Sequence, residues 1–124
     1  MWLVPEVFRS YFCGAEPMAQ HVSHLKHLIG WLIAGTRGGI TRGRIILVLK
    51  DVPQNANQLA TTLQLDYHTV RHHLKLLHDN GIITSLGDTY GVTYALSTQI
   101  EVNFAVFEEI WDKVTKRNKK RKSK

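Results

Sequence analysis

The chain has 124 residues, enough for one domain with a buried core and too few for two ordinary ones. With 44% hydrophobic and 9% aromatic residues it reads as globular rather than disordered, and the single Cys13 excludes an intrachain disulfide framework and a cysteine zinc site. The net charge is +6, yet residues 116–124 hold seven positive groups and no acid, which leaves the rest of the chain at −1.

The opening MWLVPEVF lacks a basic n-region, so no secretory signal is expected. No apolar run approaches the roughly 18 residues of a membrane span. A cytoplasmic protein without a membrane partner is the expectation. Residues 1–17 show no clear period and read as a loosely ordered arm or an over-extended start. Val22, Leu25, Leu28, Ile29, Leu32 and Ile33 then recur at three- and four-residue steps, which predicts an amphipathic helix over residues 19–34. Gly35, Gly38 and Gly39 end it, and Thr41 is placed to cap a second helix running through Lys50.

Asp51, Val52 and Pro53 make a break. Asn55 or Asn57 can cap a short helix bearing Leu59, Ala60 and Leu63, and Asp66 can cap the next by accepting from the free backbone donors of its first turn. In that helix, over residues 66–80, Val70, Leu74 and Leu77 share one stripe. Asn80 and Gly81 stop it. Residues 82–86 and 92–96 read as the strands of a hairpin with a Gly-bounded tip. Thr98 and Glu101 have the spacing of a capping box, followed by a seam of Ile100, Phe104, Phe107, Trp111 and Val114 about four turns long. After residue 115 the composition predicts a solvated, disordered basic tail.

Helix, helix, turn, helix and two-stranded wing is the order of a winged helix. Residues 36–97 resemble the archaeal winged helix-turn-helix transcription regulators related to the ArsR group. The motifs that carry the resemblance are TRGGITRGRII from Thr36, NANQLA from Asn55, LDYHTVRHHLKLL from Leu65, NGII from Asn80 and YGVTYALS from Tyr90. Through WLIAGTRGG, from Trp31, the chain is also similar to the euryarchaeal activators of archaellum operons. The resemblance implies a mainly α fold with a small β-hairpin wing over residues 18–115, flanked by N- and C-terminal dimerisation helices. It further implies double-stranded DNA and a second copy as partners, the basal transcription machinery as a further candidate, and no cofactor. Two departures stand out. Gln64 occupies a turn position where such proteins often carry Gly, and the wing tip from Gly87 to Gly91 has no Arg or Lys and contains Asp88.

Residues 100° apart on the helix that begins after Asp66 place His68, His72 and Lys75 opposite the apolar stripe, with Thr69 and Arg71 on its shoulders. Direct readout needs donors aimed at base acceptors; Arg71 and Lys75 can read guanine or grip phosphate, and His68 and His72 can do either. Tyr67 and Thr69 sit in the first turn, next to bases or backbone. Arg37, Arg42 and Arg44 are expected to hold phosphates, joined by Lys119, Lys120 and Arg121 from the tail and by the Tyr90 hydroxyl at the wing. Leu25, Ile29, Leu32, Ile100, Phe104, Phe107 and Trp111 are the candidate dimerisation residues.

Rival readings are weaker. Gly38 to Gly43 has P-loop glycine spacing, but Arg44 and Ile45 stand where Lys and Ser/Thr are required. Seven histidines suggest a metal, yet His68 and His72 lack the carboxylate or thiol partners such a site uses, and His73 reads as core edge. No grouping supports nucleophilic or acid–base catalysis, so an enzyme is not expected. A protein-interaction module of a transcription or replication assembly is the functional alternative.

Overall fold

The computed structural model describes the backbone of residues 16–87 and 91–122 and the side chains of residues 22–87 and 91–120. Helix α1 (Glu16–Ile29) leads into a π-helical turn (Gly30–Ala34), then α2 (Gly39–Asp51), a short strand β1 (Gln54–Asn55), α3 (Ala56–Leu63) and α4 (Tyr67–Asp79). Strands β2 (Ile83–Leu86) and β3 (Thr93–Leu96) form the wing, followed by α5 (Thr98–Val102) and α6 (Phe104–Lys122). This is a winged helix-turn-helix. Among the described residues no helix is long and apolar enough to cross a membrane. The expectation for an N-terminal arm lies outside the described residues up to position 15.

One core joins the described helices. Leu25 and Ile29 from α1 meet Leu32 and Ile33 of the π turn, Ile45 and Leu49 of α2, Leu59 of α3, the Val70–Leu74–Leu77 stripe of α4, and Ile100 and Phe107. The amphipathic helix expected over 19–34 is interrupted by its last turn, where the Gly35 amide donates to Gly30 O five residues back at 3.0 Å. The extra residue rotates the face, so Leu32 and Ile33 are both buried while Trp31 stays 51% exposed.

Thr41 does not cap α2. That helix begins earlier, with Gly38 in the left-handed region at φ 84° as its cap and no side-chain cap bond. Strand β1 is also unexpected: Gln54 pairs with Tyr94 and Asn55 with Thr93, giving an antiparallel sheet ordered β1-β3-β2. Two residues are too few for alternation to reveal a strand. The wing strands lie within a residue of expectation, Ile83 facing Leu96 and Leu86 facing Thr93.

The C-terminal seam differs in two ways. It breaks at Asn103, whose Nδ2 donates to Gln99 O at 3.0 Å, and Ser97 rather than Thr98 takes the cap position of α5 without a side-chain bond. The helix then continues through 122, where disorder is expected. Lys and Arg are good helix formers, and cations near a C-terminus oppose the helix dipole favourably.

The candidate dimerisation seam is a core seam. Leu25, Ile29, Leu32 and Ile100 are each 1% exposed and Phe107 0%. Phe107 stacks on Trp111 at 5.9 Å between ring centres and meets Phe104 at 5.2 Å. A Cβ on Gly43 would fall 2.1 Å from Trp111 Cζ3, so α2 and α6 can approach this closely only because position 43 is glycine. Lys50 Nζ lies 5.0 Å over the Phe104 ring. Through Gly43 against Trp111 and Lys50 over Phe104, these aromatics pack on α2.

Candidate nucleic-acid interface

The motif helices are set by local hydrogen bonds. In α3, Gln58 N donates to Asn55 Oδ1 at 2.8 Å while Asn55 N donates to Gln58 Oε1 at 2.9 Å, a reciprocal capping box. Gln64 then turns the chain at φ 56° and ψ 48°, the left-handed conformation for which Gly is easier by about 1 kcal/mol. Asp66 Oδ2 accepts from His68 N at 3.0 Å and Thr69 N at 3.2 Å, starting α4 as expected. Its end is a Schellman cap: Ile82 N donates to Leu77 O and Gly81 N to His78 O, both at 3.0 Å, with Gly81 at φ 73°.

So held, α4 buries Val70, Leu74 and Leu77 and exposes Tyr67, His68, Thr69, Arg71, His72 and Lys75. A groove of about 600 Å³ runs between this face and the wing, lined by His68, Arg71, His72, Lys75, His78, Ser85 and Tyr94 among others. A smaller recess of about 270 Å³ lies where the N-terminal ends of α3 and α4 meet the sheet, with Asn55, Asn57, Tyr67, Arg71 and Tyr94 on its walls. Arg71, Val92 and Tyr94 line both. The Arg71 guanidinium lies 6.0 Å from the Tyr67 ring centre, which limits its rotamers without neutralising it. Lys75 Nζ is 3.1 Å from Asp79 Oδ2, with both side chains mostly in water, a pair weak enough to be exchanged for a phosphate.

Of the remaining expected contacts, Arg37 and Arg44 are exposed, and Arg44 Nη2 donates to Leu63 O at 3.4 Å beside the turn of the motif. Lys119 and Lys120 are exposed on the last turns of α6, while Arg117 and Asn118 share a cavity with Gly38, Gly39 and Thr41 at the start of α2. Tyr90 and the Arg121 side chain lie outside the described residues.

Arg42 is not a phosphate grip. It is 2% exposed, and its guanidinium is consumed inside: Nε donates to Leu32 O at 2.8 Å, Nη1 to His73 Nδ1 at 3.1 Å, and Nη2 to Arg37 O at 3.1 Å and to Thr36 Oγ1. Burial pushes its pKa down from the ordinary arginine value. His73, 8% exposed, lies at the core edge as expected; burial first, then the charge on Arg42 and the neighbouring His72, holds its pKa below the usual histidine range.

The groove and the recess add residues that sequence reasoning did not select. His78 follows His68 by ten positions and could have been found on the helical wheel; its Nε2 is 3.4 Å from Ser85 Oγ. Asn57, Ser85 and Tyr94 could not, because only the packing of sheet on helices brings them to α4. Among the described residues no three His, Cys, Asp or Glu side chains come together as a metal site.

A winged helix-turn-helix with a cation- and imidazole-bearing second motif helix defines the class. Residues 40–85, from the start of α2 into the wing, match the family model described as bacterial regulatory protein, arsR family. Several solved structures share the fold. Reduced HlyU from Vibrio cholerae is 18% identical with a TM-score of 0.55, the match covering 75% of this chain and 96% of that one. A MarR mutant from E. coli complexed with operator DNA is 17% identical (TM-score 0.51, covering 83% and 74%). ZitR from Lactococcus lactis in complex with DNA is 15% identical (TM-score 0.51, covering 86% and 80%). No curated protein sequence matches the chain.

Proposed function

We propose that this chain is a sequence-specific transcription regulator that binds double-stranded DNA as a homodimer, with α4 in the major groove. One observation carries the reading: His68, His72 and Lys75 stand exposed on α4 while the opposite stripe is sealed in the core. His68, Thr69 and His72 face base edges, Tyr67, Arg71 and Lys75 read bases or adjoining phosphates, and Arg37, Arg44, Lys119 and Lys120 add backbone contacts with the rest of the basic C-terminal end. The ArsR-family match over residues 40–85 supports the class. The motif at residues 31–39, which forms the π turn and the connector around Arg42, supports a place among archaeal regulators beside the archaellum-operon activators. The basal transcription machinery is then a further partner, and the cytoplasm the site of action.

Because the apolar seam is internal, the dimer has to use outer faces. Trp31 is half exposed beside α1, and α6 is charge-segregated, with Glu108 and Asp112 exposed in its first half and Lys116 and Arg117 in its second. Antiparallel pairing about a two-fold axis sets opposite charges against each other. Gel shifts with genomic DNA fragments and with structured RNA, alongside sedimentation of the free protein, test the reading. Arg71→Ala and Lys75→Ala should each weaken operator binding by about 1–3 kcal/mol where the residue reads a base. Unchanged affinity in both variants overturns the placement of α4.

A further inference from the structure

Arg42 is a buried cation with no acid: among the described residues none of the ion pairs involves it. Arginine keeps its charge at any ordinary pH, so the cost of taking it out of water is offset only by hydrogen bonds to neutral acceptors. Three of those acceptors, Leu32 O, Arg37 O and Thr36 Oγ1, belong to the π turn and the connector into α2. The fourth is His73 Nδ1, on the inner shoulder of α4, next to His72 on the DNA-facing side. A guanidinium can only donate, so Nδ1 must accept, which requires a neutral ring with its proton on Nε2.

We infer that Arg42 and His73 are positioning residues for DNA recognition: through this single bond the connector fixes the roll of α4, and hence the direction in which His68, His72 and Lys75 leave it. Apolar packing of Val70, Leu74 and Leu77 is non-directional and leaves the roll less sharply set. A directional bond 3.1 Å long on one shoulder removes that freedom. The inference rests on the DNA-binding reading, and it makes the bond conditional on protonation. A proton on Nδ1 replaces the acceptor with a donor and sets two cations together. The charged or titratable groups against the ring are Arg42 from α2 and His72 from its own helix, and neither relieves that repulsion.

Wild-type affinity should therefore fall on the acid side, below the ordinary histidine range, as His73 gains a proton. His73→Asn keeps a neutral acceptor near the Nδ1 position and cannot be protonated; it should bind as wild type near neutral pH and lose the acid-side fall. His73→Leu should bind at least about tenfold more weakly at every pH, the equivalent of one misaligned base-reading side chain.

The probe is a duplex selected by the wild-type protein from a randomised pool, with circular dichroism at each pH confirming that the variants are folded. A fall retained in folded His73→Asn, or full affinity in folded His73→Leu, overturns the inference. Imidazole nitrogen NMR on the free protein tests it without DNA. The Nε2–H tautomer with α4 amide shifts on protonation of His73 is expected, and an Nδ1–H tautomer at neutral pH refutes it. If no duplex binds at any pH while the NMR result holds, it is the DNA-binding reading that fails and the Arg42–His73 link that stands.

Discussion

Phe107→Ala should destabilise the monomer fold itself rather than merely loosen a dimer. Phe107 is 0% exposed, stacked on Trp111, in contact with Phe104, and part of the cluster that includes Leu25, Ile45 and Leu77. Truncating a fully buried phenylalanine costs about 3–5 kcal/mol, the transfer of the ring plus the cavity it leaves. Against a net stability of about 5–15 kcal/mol this is a large fraction. With an unfolding entropy of about 2 cal/mol/K per residue over 124 residues, it corresponds to a fall in Tm of about 12–20 °C. Thermal melts followed by far-UV circular dichroism, repeated over a wide range of protein concentration, check it. A core residue lowers Tm by the same amount at every concentration, whereas an interface residue does so only where subunits associate. A loss below about 1 kcal/mol, or one that vanishes on dilution, refutes the assignment of this seam to the monomer core.

Gly43→Ala should destabilise by about 1–3 kcal/mol, because its methyl meets the Trp111 ring. A double-mutant cycle with Trp111→Leu should recover part of that loss, as measured by urea denaturation. Stability should also depend on pH through His73. Its folded pKa is lowered, so the unfolded chain binds more protons; stability is full above about pH 6.5 and is lost as pH falls through the lowered folded value. Urea midpoints across that window, compared with His73→Asn, isolate the slope. Removing residues 116–124 should weaken binding to all duplexes alike and flatten the dependence of log K on log salt by about 0.9 for each phosphate no longer neutralised. A deletion that abolishes only operator binding contradicts a backbone role for that end.

Much of α4 is legible in the sequence. Its apolar stripe, its Asp66 start and its Gly81 stop are written in residues within one or two turns of each other, and helix periodicity and capping are local effects. The hairpin is legible for the same reason. Candidate contacts on the outer face of α4 follow from the wheel alone.

What covers an apolar face is a different matter. Spacing shows that Phe104, Phe107 and Trp111 share a side, but a seam looks the same whether it meets another subunit or its own α2; the answer lies in Gly43, sixty-eight residues away in sequence from Trp111. Arg42 is the sharper case. Among glycines and beside Arg44 it has the sequence of a phosphate ligand, and no acid nearby hints at burial. Its acceptors are two backbone carbonyls, a hydroxyl and an imidazole from another helix, and carbonyls leave no mark in a sequence. Local chemistry therefore determined which side of α4 faces outward, and only the tertiary packing decided which cations reach the surface.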